Sequence, residues 1–187
     1  MMKNIVIFAS GSGSNFQVLV EKLHGQDCQV ALLVCDKPGA YCVERAANLN
    51  IPALVLNPKD FPSKKEYEQE IINHLSPVQP DLIVLAGYMR ILGATFLDAY
   101  EGRIINIHPS LLPAFAGRDG IGDALKYGVK ILGVTVHYVD AGIDTGQIID
   151  QESFKLAGSE SEAEIRSKIH AIEHVLYPKV IKEILSK

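Results

Sequence analysis

Asn106 and His108 close the stretch "RIINIH" (103–108), and Pro109 and Pro113 follow almost at once. Side chains of an extended strand alternate faces, so residues two apart point the same way. An amide and an imidazole aimed at one atom suit a developing oxyanion or a proton in transit. Farther on, "DAGIDTG" sets Asp140 and Asp144 in a glycine-rich turn. A carboxylate beside an imidazole favours its charged form and fixes its tautomer. Asn, His and Asp with no evident Ser or Cys nucleophile point to acid–base and oxyanion chemistry in which the substrate itself attacks. Ser110 is the nearest hydroxyl, but it leads into prolines and no Gly-x-Ser-x-Gly elbow surrounds it. Taken alone, the Asn106–His108 pair fits a strand-end histidine bonded to backbone equally well.

A second constellation is "GSGSNF" (11–16), which follows a β-branched apolar run. The dinucleotide pattern Gly-x-Gly-x-x-Gly needs a small residue at its third place, and Phe16 stands there. The Walker pattern fails because no Gly-Lys-Ser/Thr follows. What remains is a helix N-terminus whose backbone N–H groups face a single phosphate, with Ser12, Ser14 and Asn15 as added donors. The plain alternative is a strand–helix turn capped by Ser14. His137, inside "GVTVHYVD", reads as a packing residue, while His24, His74, His170 and His174 read as solvent-facing on helices. No two histidines have metal-ligand spacing with a carboxylate, so no metal is expected. Cys28, Cys35 and Cys42 lie seven apart and form neither a disulfide framework nor a Cys-x-x-Cys pair. They read as small apolar fillers in a reducing compartment.

The elements that must position these residues alternate between strand and helix. "NIVIFAS" (4–10), "CQVALLVCD" (28–36), "IPALVLN" (51–57), "PDLIVLAG" (80–87) and "RIINIH" are apolar throughout, as strands covered on both faces must be. Helical stretches lie between them, among them "SKKEYEQEIINHL" with Tyr67, Ile71 and Leu75 on one face. Crossovers of that length imply parallel pairing. "ILGVTVHYVD" and "GQIIDQESFKL" are too close for a crossover and are expected to pair antiparallel. A final helix runs through "SEAEIRSKIHAIEHVLYPKVIKEIL", with a kink or break expected at Pro178. The expected fold is a single α/β domain over 1–187: a doubly wound, mostly parallel Rossmann-like sheet, an antiparallel C-terminal strand pair and a long C-terminal helix. In such sheets ligands bind at the carboxyl ends of the strands. Gly11 to Asn15, Asp36, Gly87 to Leu92, Asn106 to Pro109 and Asp140 to Asp144 fall there.

Composition narrows the partners. The net charge of −4 comes from 18 basic and 22 acidic residues that are interspersed, with no basic stripe for nucleic acid. No apolar run approaches the roughly 20 residues that span a bilayer. The start has neither the length nor the small-residue cleavage site of a signal peptide. A cytoplasmic protein with small-molecule substrates, monomeric or homodimeric, and without membrane contact is expected.

Together, "GSGSN", "LAGYMRIL", "NIHPSLLPAF", "GVTVHYVDAGIDTG" and "EHVLYP" resemble the phosphoribosylglycinamide formyltransferases, a folate-dependent formyltransferase family of purine synthesis. The resemblance runs from Asn4 to the last helix in order and spacing. "NIHPSLLP" is shared broadly among folate-linked formyltransferases, whereas "GSGSN" and the single-domain length mark this branch. It implies formyl transfer from 10-formyltetrahydrofolate, a consumed cosubstrate, to the amine of glycinamide ribonucleotide, without a metal. It implies catalytic roles for Asn106, His108 and Asp144, and ribonucleotide contacts from Gly13, Ser14, Asn15 and Glu173. A folate pocket is implied at Met89, Arg90, Ile91, Leu92, Asn106, Asp140 and Asp144, with Lys64 near the folate tail.

One segment departs from the family. Where Phe-Pro-Gly and then a histidine are usual, this chain reads "FAGRDGIGDAL", with Ala116 and Asp119 at those places. Its glycines and low apolar content predict a mobile or atypical segment over 116–123, with Arg118 and Asp119 as surface charges outside the chemistry. Two rival readings remain open at this point. One is a formyltransferase for another amine, such as a sugar nucleotide or methionyl-tRNA, although such relatives carry a further domain. The other is a non-catalytic nucleotide- or folate-binding module.

Overall fold

In the computed structural model, which describes residues 2–187, seven strands form one sheet in the order β3-β2-β1-β4-β5-β6-β7. They are β1 (Asn4–Ala9), β2 (Gln29–Cys35), β3 (Ala53–Val55), β4 (Leu82–Leu85), β5 (Ile104–His108), β6 (Ile131–Tyr138) and β7 (Ile148–Lys155). β1 to β5 pair in parallel, and β6 runs antiparallel to both β5 and β7. Six helices alternate with them: α1 (Ser14–Leu23), α2 (Tyr41–Asn48), α3 (Lys64–Leu75), α4 (Ala94–Ala99), α5 (Gly120–Tyr127) and α6 (Glu162–Leu185). This is the expected doubly wound sheet with its antiparallel end and long last helix. β3 is shorter than its apolar stretch suggests. It lies at the sheet edge, Pro52 before it has no N–H to pair, and Pro58 turns the chain after it.

The apolar strands divide the core in two. Along β1, Ile5 and Ile7 pack with Phe16 and Leu19 of α1 and with Ile169 and Tyr177 of α6. Val6 and Phe8 face the other way, onto Tyr67, Ile71 and Leu75 of α3 and Phe96 of α4. Fully burying each such side chain contributes about 1.5–3 kcal/mol before chain entropy is counted. Among the described residues, no helix is long and apolar enough to cross a membrane.

α6 corrects one expectation: it runs unbroken through Pro178. A proline inside a helix leaves the carbonyl four residues earlier without its usual donor. Here Lys22 Nζ of α1 reaches across and donates to that carbonyl, His174 O, at 2.8 Å. A capping box at Ser161 and Glu164 starts the helix. Tyr177, fully buried, donates its hydroxyl to Leu85 O at 2.8 Å, with Ile105 O at 3.3 Å. α6 is thereby tied to β5 and to the carboxyl end of β4, where the candidate site begins.

Candidate active site

The first turn of α1 is built to leave donors free. Its N-cap is Gly13, in the left-handed region at φ 73°, and no side chain caps the turn. Ser14 lies inside the helix, so the reading of Ser14 as a cap is corrected. Glycine is required at position 13 on two counts, because a Cβ there would also lie 2.6 Å from Cys42 Cβ. Uncapped N–H groups at a helix start suit an anion. Beside them Asn15 Nδ2 donates to Glu173 Oε2 at 3.0 Å, and His170 Nδ1 meets the same oxygen at 3.0 Å. Glu173 is buried, and its hydrogen bond raises the His170 pKa despite partial burial.

The stretch after β4 is pinned at three points. Met89 N donates to Ser10 Oγ at 2.9 Å, Gly93 N donates to Glu68 Oε1 at 2.6 Å, and Arg90 Nε donates to Asp36 Oδ2 at 2.7 Å. These contacts hold Met89 and Ile91 exposed, as is Ile143 on the turn after β6. Large apolar side chains held out of the core at a cavity mouth suit a flat apolar ligand.

Asn106 and His108 end β5, and β6 lies beside them with His137 opposite Asn106. His108 Nδ1 is 3.5 Å from Asp144 Oδ2, and its Nε2 donates to Phe115 O at 2.9 Å. His137 Nε2 is 3.6 Å from Asp144 Oδ1 and 3.4 Å from Asn106 Nδ2. Because Tyr138 O can only accept, its 2.8 Å contact with His137 Nδ1 places a proton on Nδ1. Nε2 of the same ring faces both the Asn106 amide and the Asp144 carboxylate. Gly117 N completes the set by donating to Asp144 Oδ2 at 2.8 Å. Asp144 itself sits at φ 53°, a left-handed conformation that costs a non-glycine residue free energy and recurs at functional sites. Burial pushes its carboxyl up, but His137, the Gly117 N–H and His108 outweigh this and hold it below the usual carboxylate range.

One cavity of about 910 Å³ joins all three groups. Its walls include Gly13 to Asn15, Glu173, Met89 to Leu92, Asn106, His108, Asp140 and Asp144, the residues singled out from the sequence. Lys64 is the exception. It lies on the first turn of α3, 4.0 Å from Glu68 and next to Gly93, outside the cavity lining. Asp140 is exposed on the rim, where Oδ1 accepts from Gly142 N and Thr145 Oγ1. Ser110 is buried and gives its hydroxyl proton to Ala114 O, in keeping with the discounting of it as a nucleophile.

The formyl transferase family matches residues 3–181 of this sequence. The chain belongs to the formyl transferase family. Within that family it is 50% identical to phosphoribosylglycinamide formyltransferase of Bacillus subtilis over 98% of this chain and 95% of that protein. It is 39% identical to the trifunctional purine biosynthetic protein adenosine-3 of Drosophila pseudoobscura, matching 98% of this chain but 14% of that protein. Among formyl transferases of known structure, glycinamide ribonucleotide transformylase 1 of Geobacillus kaustophilus superposes with a TM-score of 0.95 at 53% identity, covering 99% of this chain and 100% of that one.

Three expectations about this formyl transferase site need correcting. The segment 116–123 is not simply a loop, because Gly120 opens α5, capped by Asp119, whose side chain accepts from Gly122 N at 3.0 Å. Asp119 also lies 3.6 Å from Arg166, and Arg118 lines the cavity. His137 is not mere packing, since it stands between Asn106 and Asp144. Nor are all four histidines read as helical solvent-facing: His24, just past the end of α1, and His174 are half-buried, and His170 lines the cavity. The role of His137 depends on antiparallel β5–β6 register, which no short motif encodes. His170 had a weak signal, its i,i+3 spacing from Glu173 on one helix face.

Proposed function

We propose that this chain transfers the formyl group of 10-formyltetrahydrofolate to the amine of glycinamide ribonucleotide, a cytoplasmic step of purine synthesis carried out by one domain. The observation that carries the proposal is the meeting, in one cavity, of the uncapped α1 N-terminus and Glu173 with Asn106, His108 and Asp144. It is supported by 50% identity to a protein named for that reaction. The α1 amides take the phosphate of the ribonucleotide, and Asn15 and Glu173 contact its sugar side. Met89 to Leu92 and Asp140 to Asp144 hold the folate, and Lys64 approaches its tail.

The amine attacks the formyl carbon and gives a tetrahedral intermediate bearing an oxyanion. Asn106 Nδ2–H and protonated His108 donate to that oxygen; one such donor is worth roughly 3–4 kcal/mol of barrier in acyl transfer. In the free protein His108 Nε2 is bonded to Phe115 O. Asp144, ionised across the neutral range, keeps the imidazole oriented and stabilises its cation. A water relays the amine proton to the departing N10. No step needs a metal.

The test is formyl transfer to glycinamide ribonucleotide measured against an amino sugar nucleotide, with the donor held constant. Turnover with the ribonucleotide alone supports the proposal. Turnover with the sugar nucleotide alone, or none with either, removes it.

A further inference from the structure

Asp36 follows β2 and is 8% exposed. Its Oδ2 accepts from Arg90 Nε at 2.7 Å, while its Oδ1 is buried and has no partner among the described residues. Burying a carboxylate is costly unless an opposite charge offsets it, and Arg90 is the cation that does so here. The nearby Tyr67 and Tyr88 hydroxyls, 3.0 Å apart, stay neutral because burial raises both phenols. Arg90 differs from its partner in exposure: its side chain is 44% exposed and lines the cavity. Only Nε is engaged by Asp36, which leaves the two Nη groups without a protein acceptor among the described residues. Lys37, the next residue after Asp36, also lines the cavity and forms no ion pair among the described residues.

We infer that Asp36 is a positioning residue. It fixes Arg90 through Nε so that the Nη fork is pre-set for an anionic group of the formyl donor, a carboxylate of its tail. This rests on the folate reading above. A guanidinium fork matches a carboxylate with two parallel hydrogen bonds, and fixing it beforehand removes part of the ordering cost of binding. The donor is favoured over the phosphorylated acceptor because Arg90 stands between Met89 and Ile91, the exposed apolar side chains suited to a ring. The α1 amides already provide for a phosphate.

The experiment compares wild type, Asp36→Asn, Arg90→Gln and the double variant. KM for each substrate and kcat are measured, together with calorimetric titration of a non-reactive dideaza analogue of the donor. Asp36→Asn is expected to raise the donor KM and the analogue Kd about five- to tenfold, with kcat and the acceptor KM within about twofold. The double variant should be no worse than Arg90→Gln, because the two act as a unit. An unchanged donor KM, effects that multiply in the double variant, or a rise in the acceptor KM instead would each overturn the inference. The last outcome would assign the fork to the phosphate. If wild type transfers no formyl group yet Asp36→Asn still weakens analogue binding, the reaction assignment fails while the role of Asp36 stands. If Asp36→Asn does not fold, Arg90→Lys carries the test: it keeps the charge and loses the Nε–H. It too should raise the donor KM about fivefold, and a wild-type value would sink the idea.

Discussion

Asp144 is the residue on which the local geometry turns, since both imidazoles and the Gly117 N–H converge on its carboxylate. Asn106→Ala, His108→Ala and Asp144→Ala should each lower kcat about 10²–10³-fold, in line with loss of one oxyanion donor or its support. Each variant should still unfold cooperatively, because Asn106 and His108 sit at the end of β5 and Asp144 in the turn between β6 and β7. Near-normal turnover by His108→Ala would remove the acid–oxyanion assignment. A pH signature follows from the lowered Asp144 pKa. A group depressed in the folded state contributes stability above its unfolded pKa, and that contribution is lost as pH falls through the folded value. Wild type should therefore lose stability more steeply than Asp144→Asn below roughly pH 4, in urea melts run between pH 2 and 6. Parallel curves would mean that the carboxylate is not stabilised as described. At this scale the sequence was legible where alternation along one strand sufficed, as for Asn106 and His108. It misread His137 as packing, because the place of that ring depends on the register of a neighbouring strand.

The stretch "FAGRDGIGDAL" read as mobile or atypical because its glycines and low apolar content offer few contacts to offset the entropy of ordering it. In the structure α5 forms there because Asp119 caps it and Ile121 and Ala124 are buried. Gly120 also meets a tertiary demand, since a Cβ would stand 2.9 Å from His108 Nε2. Propensity was overridden by a cap, a small apolar face and a close approach that local pattern does not register. Asp119→Ala should cost about 1 kcal/mol and speed amide exchange across 120–127, read by mass spectrometry. Unchanged exchange would show the cap to be dispensable. Lys22→Met removes the donor that serves His174 O opposite Pro178. It should lower stability by about 0.5–1.5 kcal/mol in denaturant melts, with little effect on turnover. Pro178 was legible as a helix breaker, but Lys22, distant in sequence, was not legible as its remedy.

The whole molecule places its ligand groups by topology: parallel strands β1, β4 and β5 deliver Gly11 to Asn15, Met89 to Leu92 and Asn106 to His108 to the carboxyl-end side of the sheet. That arrangement was readable because uninterrupted apolar runs separated by helical crossovers admit few other folds. Inorganic phosphate or sulfate should compete with the ribonucleotide and leave the folate KM unchanged, since only the former needs the α1 amides. Competition against folate alone would reverse the placement of the two ligands. Gly13→Ala, which forces a Cβ against Cys42, should raise the ribonucleotide KM at least tenfold and lower stability by about 1–3 kcal/mol. Wild-type kinetics in that variant would contradict the phosphate cradle.

The hydrogen bond from Asn15 to Glu173 joins residues 158 apart in the chain. Contacts of such separation form late, because the loop between them must be ordered before they are rewarded. During synthesis the first wall of the proposed ribonucleotide site leaves the ribosome long before α6 supplies its counterpart. A nascent chain that lacks α6 therefore lacks one wall of the proposed acceptor site. In pulse-labelled refolding, amides around Asn15 and Glu173 should gain protection only in the phase that docks α6, after those of β1 and β2.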